Sequence, residues 1–200
     1  MIRSVGQHHG DLRQALIAAA LELVAESNAD EVTLRAVARR AGVSAAAPYH
    51  HFPDKDALLA AVARDGFDTL ARSQLEVLGG AGSAPDQLER VVMEYVLFAT
   101  RHRTHYDVMF RILPTDVGGV EGDALREAAQ VTFTRLVDAV RAANPELIAD
   151  EATQRALLAW AFAHGAVDIS RWGAALRPGL DAEALAAEVG REVRRLALQH

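Results

Sequence analysis

Thr33–Lys55 reads TLRAVARRAGVSAAAPYHHFPDK. Thr33 carries a helix-capping side chain, and Leu34, Val37, Ala38 and Ala41 recur behind it at helical spacing, which predicts a short helix with Arg35, Arg39 and Arg40 on its other faces. Gly42 ends that helix, because a residue without Cβ takes the left-handed conformation at little cost. Val43 is expected to drop into the core between two helices, and Ser44 to cap the second, at residues 45–51. Pro48 falls within or just after the first turn of that helix, where a missing N–H costs little. Phe52 anchors the segment to the core. Asp54 caps a long helix that opens with KDALLAAV at residues 55–62, so Lys55 stands at a helix N-terminus whose dipole favours an anion. A glycine turn between two helices, surrounded by phosphate-seeking side chains, is a helix-turn-helix pattern and points to DNA.

Outward from this stretch, the preceding helix carries AALELVAES at residues 19–27. With that helix, TLRAVARRAGVS, the YHHF block and the start at Lys55, the chain from about Leu12 to Val62 resembles the TetR family of bacterial transcriptional regulators. The resemblance implies an all-α fold. It places a helix-turn-helix DNA-binding domain at residues 1–55 and a helical effector-binding and dimerisation domain at residues 56–200. The implied function is ligand-responsive regulation, with a homodimer on a palindromic double-stranded DNA operator and release by a small-molecule effector. Repression is the family default, and activation by the same geometry is the alternative. No cofactor is expected.

The composition fits such a chain. Two hundred residues, half of them apolar, suffice for a DNA-binding unit and a second helical unit. The sequence contains no Cys, so disulfides, thiolate metal sites and thiol nucleophiles are excluded. The N-terminus lacks an apolar signal segment and no run reaches membrane-spanning length, so a soluble, cytoplasmic chain without a membrane partner is expected. The net charge of −6 is unevenly distributed. Residues 1–55 balance six basic residues (Arg3, Arg13, Arg35, Arg39, Arg40, Lys55) against six acidic ones (Asp11, Glu22, Glu26, Asp30, Glu31, Asp54), so the remainder carries the whole excess. The segment Thr33–Lys55 is itself net positive by three, and local charge is what meets phosphate. Lys55 is the only lysine in the chain.

Helical periodicity continues to the C-terminus. Helices are predicted near 10–27, 34–41, 45–51, 55–78, 85–101, 103–112, 123–142, 151–174 and 182–198, about nine in all. Gly79–Ser83, Pro114–Gly122, Asn144-Pro145 and Arg177-Pro178-Gly179 separate the later ones. No strand pattern and no repeat interrupts them.

The resemblance also assigns roles residue by residue. Thr33, Ser44, Tyr49, His51 and Lys55 are implied to contact phosphates and fix register. The second helix of the motif starts with Ala45 and Ala46, whose methyls can touch a thymine methyl but cannot hydrogen-bond a base edge. Base reading is therefore expected to fall more on Arg35, which can reach a guanine, and on His50. The arm at residues 1–10, with Arg3, His8 and His9, is a candidate for the minor groove and equally well an idle terminus.

In the second half, LLAWAFAHGAVDISRWG at residues 157–173 resembles the Trp-x-x-x-His-Gly segment found in a subset of TetR regulators. Trp160 and His164 share a helix face, and Gly165 is expected to let another helix approach. Plain core and dimer packing explains the segment equally well. Tyr95, Phe98, Tyr106, Met109, Phe110, Phe133, Trp160 and His164 are candidate linings of an effector pocket, with Arg101 and Arg103 available to orient a polar group. Aromatics and methionines at helical spacing also fill cores. The last two helices are the expected dimer face, through Leu157, Leu158, Trp160, Ala161, Phe162, Ala166 and Ile169 and through Leu185, Val189, Val193, Leu196 and Ala197. His102 and His105 have metal-compatible spacing, but no convergent set completes a site, and no metal is assigned. An enzyme is the rival class; His164 with Asp168 is its one candidate dyad, and neither a nucleophile elbow nor a phosphate loop accompanies it.

Overall fold

The computed structural model describes residues 5–112, 116–171, 179 and 181–199, with side chains described from residue 12 onward. Among these, the chain is all-α: α1 Val5–Glu26, α2 Leu34–Arg40, a 3-10 helix Ala47–His50, α3 Lys55–Leu78, α4 Ala84–Arg101, α5 Arg103–Arg111, α6 Gly119–Ala143, α7 Ala149–Ser170 and α8 Ala182–Ala197. Arg3 lies outside the described residues, as do residues 172–174 of the helix expected to end there. Of His8 and His9 only their place in α1 is described.

The residues form two compact units, one of Met1–Phe67 with Thr104–Ala128, the other of Asp68–Arg103 with Ala129–His200. In the first, Leu16, Ala20, Val37, Phe52, Leu58 and Val62 are fully buried and form the floor on which the helix-turn-helix sits. The Thr33 hydroxyl accepts from the Ala36 amide at 3.1 Å and the Asp54 carboxylate accepts from the Ala57 amide at 2.8 Å, so both expected caps form. Gly42 has φ of 70°, and the amides of Gly42 and Val43 return to the carbonyls of Arg39 and Ala38. A Cβ at Gly42 would touch nothing within 4 Å, so glycine serves the backbone conformation here and not a close approach.

The second motif helix differs from expectation. It is a 3-10 turn at Ala47–His50, and Ser44 does not cap it: Ala46 occupies that position without a side-chain bond, while the Ser44 carbonyl accepts from Ala47. Pro48 explains the shortening, since it supplies no N–H to an α-helical ladder and its ring is buried. Val43 is half-buried and not a core residue. The glycine-rich stretch before residue 123 also becomes helical earlier than its composition suggests, with α6 starting at Gly119. Gly122 makes this possible: a Cβ there would lie 1.9 Å from the Val117 carbonyl oxygen.

Two ion pairs and a histidine contact join α5 and the start of α6 to the rest of the first unit. Arg13 of α1 meets both Glu121 carboxylate oxygens at 2.8 Å, and its guanidinium lies 5.2 Å from the centre of the Phe52 ring. Arg111 pairs with Asp30, and His105 Nε2 lies 3.1 Å from Asp65 Oδ2.

In the second unit α4 packs chiefly against α8 and also against α7. Gly190 is the point of closest approach, where a Cβ would meet Met93 Cγ at 2.7 Å and the Glu89 carbonyl oxygen at 3.0 Å. Arg194 of α8 reaches Asp86 at 2.5 Å and Glu89 at 3.1 Å. Asp86 also closes a capping box with Ser83. Its carboxyl is held below the usual range by the Ser83 hydroxyl and amide first and by Arg194 after them.

Candidate functional site

The three arginines of α2 divide into two groups. Arg40 points to α1, where it reaches Glu22 at 3.1 Å and Glu26 at 2.5 Å. The hydrogen bond from Arg40 keeps the Glu26 carboxyl below its ordinary value, and the two carboxylates raise the guanidinium in turn. Its charge is therefore compensated within the fold. Arg35 and Arg39 are exposed and have no ion pair among the described residues. The compensation is a feature that local sequence reading missed; Glu22 and Glu26 at (i, i+4) on the preceding helix were its signal.

The recognition turn presents its polar edge outward. Pro48 and Phe52 are buried, whereas Tyr49 is 53% exposed and His50 is exposed beside it. His51 is half-buried, with its ring tilted against Phe52 at 6.4 Å. Thr33, Ser44, Ala45 and Ala46 are exposed as well. Tyr49 and His50 thus place a phenol and an imidazole side by side in solvent. Lys55 is half-buried, and its ammonium donates to the Asp30 carbonyl at 2.6 Å, which fixes the head group at the N-terminus of α3. Two of its three N–H donors remain for an anion.

The expected effector linings fall in both units. Tyr106, Met109 and Phe110 belong to the first unit, where Tyr106 and Met109 are buried and Phe110 packs on Tyr106 and Phe67 at 4.8 and 5.9 Å. Phe98 is buried in α4 and stacks on His102 at 4.9 Å. The two histidines spaced for a metal thus face different neighbours, Phe98 and Asp65. Arg101 is exposed and lies 3.5 Å from Glu94, and Arg103 is exposed.

Tyr95, Phe133, Trp160 and His164 do converge, within the second unit. The Trp160 indole N–H donates to the Tyr95 oxygen at 3.2 Å, and Tyr95 Oη lies 2.8 Å from His164 Nδ1. With Nδ1 engaged by the phenol, the other ring nitrogen of His164 is Nε2. That nitrogen faces Asp168 Oδ2 at 3.7 Å, an ion-pair distance beyond hydrogen-bond reach. Phe133 meets Trp160 edge-on at 6.3 Å. The Trp-His pair is thus set by Tyr95 from α4, and the His164–Asp168 pair leads to a phenol at its inner end. Tyr95→Phe removes the oxygen on which both partners converge and is expected to destabilise the protein by about 1–2 kcal/mol, read by denaturant unfolding.

Among the described residues Gly165 does not mark a helix contact, since a Cβ there would meet nothing within 4 Å. It stands on one face of α7 with Leu158, Phe162 and Ile169, which are 63%, 43% and 61% exposed. In α8, Val189, Val193 and Ala197 are buried within the chain, while Leu196 stays exposed. Between α7 and α8 runs a groove of about 530 Å³ lined by Phe162, Ala166, Leu185, Glu188, Val189, Arg191, Glu192 and Arg195.

A capped helix, a glycine turn, a recognition turn with an exposed tyrosine and a capped third helix define a helix-turn-helix protein. Residues 16–62 match the family model described as bacterial regulatory proteins, tetR family, and residues 88–196, over half of the chain, match the one described as tetracyclin repressor-like, C-terminal domain. The chain belongs to the TetR family of bacterial transcriptional regulators. It is 39% identical over 82 residues to the HTH-type transcriptional regulator BetI of Escherichia coli strain K12, an alignment that spans 40% of this chain and 42% of that protein. Among solved structures, a protein of unknown function from Rhodococcus sp. RHA1 superposes with a TM-score of 0.78 at 28% identity, covering 98% of this chain and all of that one. A tetR-family regulatory protein from Rhodococcus RHA1 gives 0.72 at 21% identity, over 92% and 96% of the two chains, and shares the fold. Among the described residues no helix is long and apolar enough to cross a membrane.

Proposed function

We propose that this chain is a ligand-responsive transcriptional repressor that binds a palindromic DNA operator as a homodimer and is released by a small-molecule effector. The exposed Tyr49 and His50, beside the uncompensated Arg35, carry this reading. They form a polar, cationic edge on the first unit, and BetI, a relative by sequence, is itself an HTH-type transcriptional regulator. Thr33, Ser44, Tyr49, His51 and Lys55 hold phosphates, Arg35 and His50 read bases, and Ala45 and Ala46 pack against the groove wall. The exposed face of α7, with Gly165 at its centre, receives the same face of a second copy. The effector acts on the second unit, where the Tyr95–His164–Trp160 cluster supplies polar groups within an aromatic surround. Binding of DNA and effector are then antagonistic and reciprocal.

The test is the base preference of the Arg35→Ala variant on a duplex that the wild-type chain binds. Loss of about 1–3 kcal/mol of discrimination at one position of each half-site is expected. An unchanged preference overturns the assignment of Arg35 as a base reader.

A further inference from the structure

Beyond those contacts, we propose that Arg39 is a phosphate contact on the same flank of α2 as Arg35; this rests on the DNA-binding reading above. The α-helix turns about 100° per residue, so Arg39 stands about 40° from Arg35, while Arg40 lies about 100° further round. The buried positions Leu34, Val37 and Ala38 define the inner face between these flanks. On the Arg40 flank α1 supplies Glu22 and Glu26, and that guanidinium is already compensated. On the other flank Arg35 and Arg39 are exposed one turn apart, with no ion pair among the described residues. Side chains at (i, i+4) are neighbours, about 5–6 Å apart at Cβ. A guanidinium on this flank that reaches a base therefore has a second beside it, and the α1 carboxylates, engaged by Arg40, leave that second charge available for the DNA backbone. The three arginines of α2 are one residue type with different partners, Arg40 paired to α1 and Arg35 and Arg39 exposed.

The experiment uses the full chain and a duplex recovered by the wild-type protein from a random-sequence library, with affinity measured between 50 and 200 mM salt. For Arg39→Ala, the dependence of log K on log salt is expected to weaken by about one per half-site, with base preference unchanged. Affinity then falls by roughly threefold less per half-site than in wild type across that salt range. Arg39→Lys restores the wild-type slope, because a point charge suffices for a phosphate. A wild-type slope in Arg39→Ala overturns the assignment of Arg39 alone. Altered base preference also overturns it, in favour of direct readout. A wild-type chain that binds no duplex overturns the DNA-binding reading together with it.

Discussion

In Leu158→Arg, light scattering at micromolar concentration is expected to report a monomer, and operator affinity is expected to fall at least about a hundredfold. Leu158 is 63% exposed on α7 and shares its face with Phe162, Gly165 and Ile169, so the folded monomer loses little when it is replaced. In an isologous interface the substitution occurs twice, because each copy presents the same face. Each cation would then be desolvated against apolar neighbours of the other copy. A helix-turn-helix on its own covers one half-site, and the second half-site contributes through effective concentration only while the two copies remain joined. A variant that stays dimeric and binds as wild type removes this face of α7 from the interface.

The second large effect falls on a glycine far from any base. Gly122→Ala places a methyl 1.9 Å from the Val117 carbonyl oxygen and 2.7 Å from its carbon, a backbone clash that no rotamer relieves. The first turn of α6 must shift, and it carries Glu121, whose carboxylate holds Arg13 at 2.8 Å. Arg13 in turn covers Phe52, the residue that ends the recognition turn. The expected result is a loss of about 3 kcal/mol, seen as a fall of roughly 6–12 °C in Tm, together with weaker operator binding. Glu121→Gln separates the two consequences, since it leaves the backbone in place and removes the charge that orders Arg13. An unchanged Tm in Gly122→Ala contradicts the packing of the turn before α6.

The local architecture of the motif was legible in the sequence. Thr33 and Asp54 cap the helices their positions predicted, α3 runs over the expected residues 55–78, and Phe52 is fully buried. The caps and the helix span depend on neighbours within four residues, which periodicity and capping rules describe. The features that escaped depend on distant partners. Nothing near Arg13 announces Glu121, 108 residues away, and nothing near Arg40 states which of three arginines α1 neutralises. Gly165, expected to let another helix approach, meets nothing within 4 Å among the described residues, whereas Gly190 faces α4. The α8 stripe Val189, Val193 and Ala197 was read as a dimer face for the same reason: amphipathicity shows that one face is buried without showing which neighbour buries it. Pro48 holds the second motif helix to a 3-10 turn at Ala47–His50, within the very short helix expected at residues 45–51.

The central claim is that two copies of this chain read a palindromic operator through the edge formed by Arg35, Tyr49 and His50. Its most direct test is selection of duplexes from a random library by the purified wild-type protein, with sequencing after several rounds. The account predicts a palindromic consensus whose half-sites repeat at about one helical turn or a multiple of it. Failure to enrich any sequence, or a consensus without two-fold symmetry, would contradict it.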